Sequence, residues 1–289
     1  MKRTTTSWIR HKDEKTLDKI LGKYVTDPEA YKDPPVTKGY RHVYGEWFSG
    51  FVIERKSDGS SFTWIPVGYL EKSGVLDTLV LPQAFGRRNF REETFGQGCY
   101  YEPFTEELKQ QYISINRYGG FYISTYNISQ NPETLKPQSV RGEKPWTKID
   151  FSDARWAAIR FEPNGALLSH LPYGAEYDSI LEWLLESGAK THDEIAKDSS
   201  SWGNYLNTNN TPNTLTKTGS NEDWCVNNIY DLAGNVNEWT QEKKYNNEAV
   251  IRGGSYYDFG NNVPVATRGT SIKNIGFGTT GFRIALCVR

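Results

Sequence analysis

Sulfur is scarce in this chain of 289 residues, which holds three cysteines, Cys99, Cys225 and Cys287, and one methionine. Odd in number and far apart, the cysteines fit neither a disulfide framework nor a Cys-x-x-Cys metal site. They read as small buried hydrophobes of a protein made in a reducing compartment. An excess of charge of either sign is also missing: 34 Lys and Arg against 35 Asp and Glu leave a formal net charge of -1. That removes the electrostatic footprint of a nucleic-acid binder. No apolar run approaches the roughly 20 residues needed to span a bilayer, and the opening ten residues lack the apolar core of a secretory signal. The expectation is cytoplasmic synthesis without a signal peptide, no membrane insertion and no nucleic-acid partner.

Aliphatic residues are sparse too, since only 37% of the chain is hydrophobic, but nine Trp, 13 Phe and 18 Tyr compensate. Each aromatic side chain buries roughly 150–250 Å², so a sizeable core is available, and regular helix is expected to be the minority. Without a low-complexity linker, the chain divides into a polar arm, residues 1–40, and one domain, residues 41–289. The arm contains a short amphipathic stretch, Asp13 to Leu21, closed by Pro28, Pro34 and Pro35. Phe51 to Ile53 and Phe62 to Val67, joined by a Lys56–Gly59 turn, predict a β-hairpin. Thr105 caps a helix that ends at Gly119-Gly120, and a strand from Phe121 to Tyr126 follows. A second helix is expected over Phe151–Ile159 with Ser152 or Asp153 as its cap, and a third from Pro172 to Gly188. Thr191 and Glu194 form a capping box for a short fourth helix. The Asn-, Thr- and Ser-rich span 199–224 is too long for structureless loop in a compact domain, so something orders it, a bound ion being one candidate.

No nucleophile elbow, phosphate-binding glycine loop or established carboxylate pair is present. His11, His42, His170 and His192 have no ligand spacing on one element, and His170 beside Leu168 and Leu171 reads as a satisfied core or surface group. What does stand out is Asn228-Ile-Tyr-Asp-Leu-Ala-Gly-Asn-Val-Asn-Glu-Trp239, then Arg252-Gly-Gly-Ser255 and Gly281-Phe-Arg283. With Phe121-Tyr-Ile123, Asp153-Ala154, Leu171 to Tyr177 and Trp202-Gly203 ahead of them, these motifs resemble, in order, the formylglycine-generating-enzyme (sulfatase-modifying factor) family. The resemblance covers roughly residues 118–289, leaving residues up to about 117 as an N-terminal extension. It implies an α+β, C-type-lectin-like fold, loop-rich with short strands and a few helices.

The resemblance does not bring the family's chemistry with it. The copper-dependent oxidase of that family carries two cysteines after its Gly-Gly-Ser-Tyr turn, because soft thiolates hold monovalent copper. Here the first of those positions is Asp258 and the second falls near Val263. Neither copper nor the three-histidine iron site of the related sulfoxide synthases is therefore expected, and the protein reads as no enzyme. The family's calcium segment does match: it implies Asp231 and Glu238 as carboxylate ligands, Gly234 and Val236 as carbonyl ligands, and Asn204 at a second ion site. An all-oxygen set suits this hard cation, in a structural role.

Residues 256–280 then need another explanation. Tyr256, Tyr257, Asp258, Phe259, Asn261, Asn262, Thr267, Thr270, Ser271, Lys273, Asn274, Ile275 and Phe277 combine rigid aromatics with adaptable small polar groups, the composition of antibody paratopes. Some phage and bacterial proteins of this fold are diversified by retroelements that mutate adenines, and the Asn codons they target cannot become Lys, Glu, Gln, Met or Trp. Only Lys273 in 256–280 belongs to that excluded set. The expected function is non-enzymatic binding of a protein or glycan, such as a bacterial cell surface, through a variable face. A phage- or prophage-encoded, virion-associated receptor binder is the setting the resemblance implies. The alternatives are a formylglycine-type oxidoreductase with displaced ligands and a structural phage protein.

Overall fold

Alternation of large apolar and small polar residues builds the first sheet. In the computed structural model, which describes residues 34–47, 49–67, 69–72, 77–80, 85–91, 100–103, 105–162, 165–208, 213–244 and 248–289, Val52–Arg55 and Ser61–Pro66 form the expected hairpin, with Ile53 opposite Phe62. The amphipathic Asp13 to Leu21 stretch and Cys99 lie outside the described residues. The hairpin is the middle of a six-stranded, all-antiparallel sheet in the spatial order Tyr40–Tyr44, Val52–Arg55, Ser61–Pro66, Gly120–Ser124, Ala285–Val288 and Leu167–His170. The C-terminal strand thus lies inside the sheet, which is why Ile284, Leu286 and Cys287 are buried.

A second sheet is built on the long strand Asn237–Lys244. That strand pairs antiparallel with Ala249–Arg252 and Tyr100–Tyr101, and parallel with Thr280–Phe282, while Gly269–Ser271 flanks Ala249–Arg252. Aromatic packing fills the space between elements: Trp64 and Trp239 are fully buried, Trp64 edge-on to Tyr122 and Trp239 edge-on to Phe151.

The helices begin where local chemistry places them. Thr105 accepts the Leu108 amide at the start of Glu106–Tyr118, and Gly119 closes that helix in a left-handed conformation. The capping box of Thr191 and Glu194 forms on His192–Ala196. For Phe151–Phe161, however, the cap is Asp150, whose carboxylate accepts the Asp153 amide, and not Ser152 or Asp153. Phe151 is already helical, and burial of its ring against Trp239 goes with a cap two or three residues earlier.

Five buried charges and the half-buried Glu102 carboxyl join the segment before residue 104 to the rest of the domain, a feature without a local sequence pattern. Arg268 reaches Asp178 and, at 3.0 and 3.1 Å, Glu242; Arg252 donates to Asp178 at 2.8 Å; Arg87 donates to Glu242 at 2.8 Å. Glu102 completes the set by accepting the Gly174 and Ala175 amides at the start of the Gly174–Glu186 helix. The segment before residue 104 is therefore tied to the rest of the domain by charge-assisted hydrogen bonds as well as by strand pairing.

Candidate functional site: an exposed face on a glycine turn

The face starts at the Arg252–Ser255 turn. Gly253 and Gly254 have φ of +96° and +73°, a region that β-carbons disfavour, and a Cβ on Gly254 would lie 2.7 Å from the Tyr205 ring. Tyr205 uses this closeness, donating its hydroxyl to the Gly253 carbonyl at 2.6 Å. Gly254→Ala is expected to cost roughly 1–3 kcal/mol from backbone strain alone; an unfolding midpoint equal to that of the native chain would contradict this reading of the turn.

Beyond the turn, Asp258 acts as a brace. Its Oδ2 accepts the Ser255 amide and hydroxyl at 2.9 and 2.7 Å and the Asn237 amide group at 3.5 Å. The position where the copper enzyme would carry its first cysteine thus holds the loop closed. From this base Tyr257 and Phe259 project, 70% and 48% exposed. Asn261, Asn262, Asn274, Ile275 and Phe277 are exposed as well, and Tyr256, Thr267, Thr270, Ser271 and Lys273 are half-buried. Of these, Thr267 has its hydroxyl engaged by Arg91.

Two loops carry these residues, and Asn237 lies between them. Its side chain touches Asp258 and its amide donates to the Thr279 carbonyl. The second loop is held against the start of the Phe151–Phe161 helix, where Lys148 donates to Phe277 and Phe151 to Lys273 through the backbone. The Lys273 ammonium sits 5.7 Å from the centre of the Phe151 ring, and burial, with Lys243 nearby, pushes its pKa down. Asn237 and the 55%-exposed Ile272 were not singled out from the sequence. Alternation within Ser271-Ile-Lys-Asn-Ile275 was the available signal for Ile272; nothing local marks Asn237.

The calcium segment is buried beneath this face. Asp231, Gly234, Val236, Glu238 and Asn204 are all buried, and the backbone of Asn204 bridges Gly234. Asp231 Oδ2 accepts from Thr218 and the Gly219 amide, while Oδ1 has no partner; burial pushes this carboxyl up. The Asn204 Oδ1 is likewise without a partner. The carbonyls of Leu232 and Val236 face bare Gly253, whose Cβ would lie 3.1 and 3.7 Å from them. The Asp231 and Asn204 Oδ1 atoms are free oxygen donors of the kind a hard cation takes, whereas the Leu232 carbonyl already accepts the Tyr177 hydroxyl at 3.1 Å. Glu238 is less free: its Oε1 accepts from Arg283 at 2.6 Å and Asn127 at 2.7 Å, and burial raises its carboxyl to about 7. The donor set therefore fits calcium in part, with Arg283 already supplying a positive charge to Glu238. Among the described residues, no cluster of three or more His, Cys, Asp or Glu could hold a metal.

The two described thiols lie elsewhere. Cys287 is buried opposite Leu168 in the first sheet, where burial pushes it up to about 12. Cys225 belongs to a separate two-stranded ribbon with Tyr230 opposite, and burial raises it as well. Neither belongs to the 256–280 face. His170 is a buried core group with Nε2 2.8 Å from Glu176 and Nδ1 without a partner, while His42 stacks on Phe51 and His192 opens a helix.

No curated protein matches the chain. Among solved structures it is similar to the crystal structure of CarF, at 17% identity over 59% of this chain and 87% of that one, with a TM-score of 0.44. It is also similar to Treponema denticola variable protein 1, at 14% identity over 88% of this chain and 100% of that one, TM-score 0.46. A third is PvdO from Pseudomonas aeruginosa, at 13% identity over 82% of this chain and 98% of that one, TM-score 0.49. Residues 100–288 match the sulfatase-modifying factor enzyme 1-like domain, which spans most of the motifs described above, and the chain belongs to that family.

Proposed function

We propose that the protein is a non-enzymatic binding member of its family, which presents residues 256–280 as a variable face to a protein or glycan ligand. Phage or prophage origin, as a retroelement-diversified or tail-associated receptor binder, is part of this reading. The observation that carries it is the pairing of exposed Tyr257, Phe259, Ile275 and Phe277 with a base held by Gly253, Gly254 and Asp258. A monomer that leaves such aromatics in water gains nothing in stability from them, whereas rigid rings on a fixed scaffold lose little entropy on binding. Support for the absence of the family's copper chemistry comes from the two described thiols, Cys225 and Cys287, which sit on different elements, with Cys287 far from deprotonation at neutral pH.

Tyr257→Ala should weaken ligand binding by about 2 kcal/mol and leave the melting temperature unchanged, since the side chain is 70% exposed. Full affinity in this variant and in Phe259→Ala and Phe277→Ala would refute the assigned face. Stoichiometric copper together with oxygen uptake on a cysteine-containing peptide would refute the non-enzymatic reading.

Calcium, if bound, would be held by the free Asp231 oxygen and neighbouring carbonyls as a purely structural ion. It would supply positive charge to a buried carboxylate and no reaction step. Chelation is then expected to lower the melting temperature, and addition of calcium to restore it; a metal-free protein whose melt ignores both removes the ion.

A further inference from the structure

We propose a second docking surface, a cleft beside the Phe151–Phe161 helix that takes an acidic, apolar-anchored peptide segment of a partner protein. This cleft of about 970 Å³ runs between that helix, the turn after Ser129–Gln130 and the Arg55–Asp58 turn, with Trp146 and Phe161 among its apolar lining. No residue of 256–280 lines it, so it is independent of the variable face.

Two large apolar side chains are left in water here, Trp156 at 55% and Leu135 at 64% exposure. Leu135 also has a φ of +57°, a conformation unfavourable for a branched side chain, and its own burial does not offset it. The turn that imposes it is firmly built: Asn131 Oδ1 accepts the Glu133 and Thr134 amides at 3.0 and 2.8 Å, and its carbonyl accepts the Leu135 amide at 2.9 Å. A strained, fixed and exposed leucine opposite an exposed tryptophan is a feature that folding alone does not call for.

Charge selects the occupant. Arg160 lies over the Trp156 ring at 5.2 Å and, like Lys136, forms no ion pair among the described residues. Of the two carboxylates in the cleft, Asp58 is bound by Arg55 and Asp153 is exposed in the first turn of the helix. Arg160 and Lys136 against the single free carboxylate of Asp153 leave an excess of positive charge, which matches Asp or Glu flanking an apolar anchor. Trp and Arg are also the side chains most concentrated at the energetic centres of protein–protein interfaces, which favours a protein partner.

The test is selection of a displayed library of random twelve-residue peptides on the full chain. Enrichment of sequences joining an aromatic or Leu to neighbouring Asp or Glu is expected. Synthetic versions should bind at least tenfold more weakly to Trp156→Ala and to Arg160→Glu, more weakly in higher salt, and unchanged to Tyr257→Ala. Thermal melts of the two cleft variants should match the native chain, since both side chains are exposed. No enrichment, enrichment of basic or uncharged sequences, or binding that survives both cleft substitutions would overturn the proposal. Loss with Tyr257→Ala alone would instead assign the peptides to the variable face and overturn it as well.

Discussion

Arg283→Met is expected to lower folding stability by about 3–5 kcal/mol, the cost of leaving a buried ion uncompensated. The guanidinium is 1% exposed and donates to the Ser124 and Thr125 carbonyls at 2.9 and 3.2 Å, to the Tyr230 carbonyl, and to Glu238 Oε1. One planar fork thus satisfies three chains: the end of Gly120–Ser124, the turn entering Asp231, and the start of Asn237–Lys244. Methionine fills similar volume but offers no donor, so Glu238 keeps Asn127 but loses the counter-charge of Arg283, and the carbonyls lose the guanidinium donors. Because Asn237–Lys244 supports both loops of the 256–280 face, the loss should appear also as faster amide exchange in 256–262. Urea unfolding that gives a difference under about 1 kcal/mol would show that water or rearrangement replaces Arg283, contrary to its role as a hub.

A second large effect concerns pH. Burial, and then the Glu242 carboxylate, push Glu102 from its ordinary 4.5 up to about 8, against the lowering influence of Arg87 and the Gly174 and Ala175 amides. The carboxyls of Glu102 and Glu242 both lie against bare Gly174, where a Cβ would meet each of them, with Tyr112 also within electrostatic reach. A carboxyl raised on folding holds its proton in the native state after the unfolded chain has released it. Its stabilising contribution is therefore present below about pH 4.5 and falls as pH rises toward 8, by at most about 1.4 kcal/mol per unit. Asp178, held below its ordinary 3.8 by Arg268 and Arg252 against the effect of burial, acts in the opposite sense, but only in more acidic solution. Unfolding free energy should decline between pH 5 and 8, and Glu102→Gln should flatten that slope. A native profile rising over this interval, or an unchanged slope in the variant, would contradict the buried pair.

Local patterns made much of this architecture legible. The hairpin of Val52–Arg55 and Ser61–Pro66 follows from alternation around a Ser-Asp-Gly turn, and the helix caps at Thr105, Gly119 and Thr191 follow from residue chemistry confined to one turn. The recurrent motifs from Asn228 to Arg283 led to the family and hence to the fold. The residues predicted at 256–280 are all exposed or half-buried.

What could not be read is long-range. Arg87, Asp178, Glu242, Arg252 and Arg268 look like ordinary solvated charges until the chain brings together residues between 26 and 155 positions apart. Asp258 was grouped with the ligand-contacting residues because Asp suits a recognition loop, yet its carboxylate braces Ser255. The cap of Phe151–Phe161 moved to Asp150 because a tertiary contact, Phe151 on Trp239, set the start of the helix. The 199–224 span shows the same limit: Asn204, Thr216 and Thr218 order it through Asn235 and Asp231, partners that only the fold supplies.

The account rests on recognition through exposed rings at 256–280, and saturation binding of fluorescently labelled protein to bacterial cells measures it most directly. The native chain should bind saturably, and the Tyr257→Ala, Phe259→Ala, Phe277→Ala triple variant should lose at least tenfold in affinity while keeping its melting temperature. Equal binding by the two proteins, or no saturable binding by the native chain to any cell surface, protein or glycan, would contradict it.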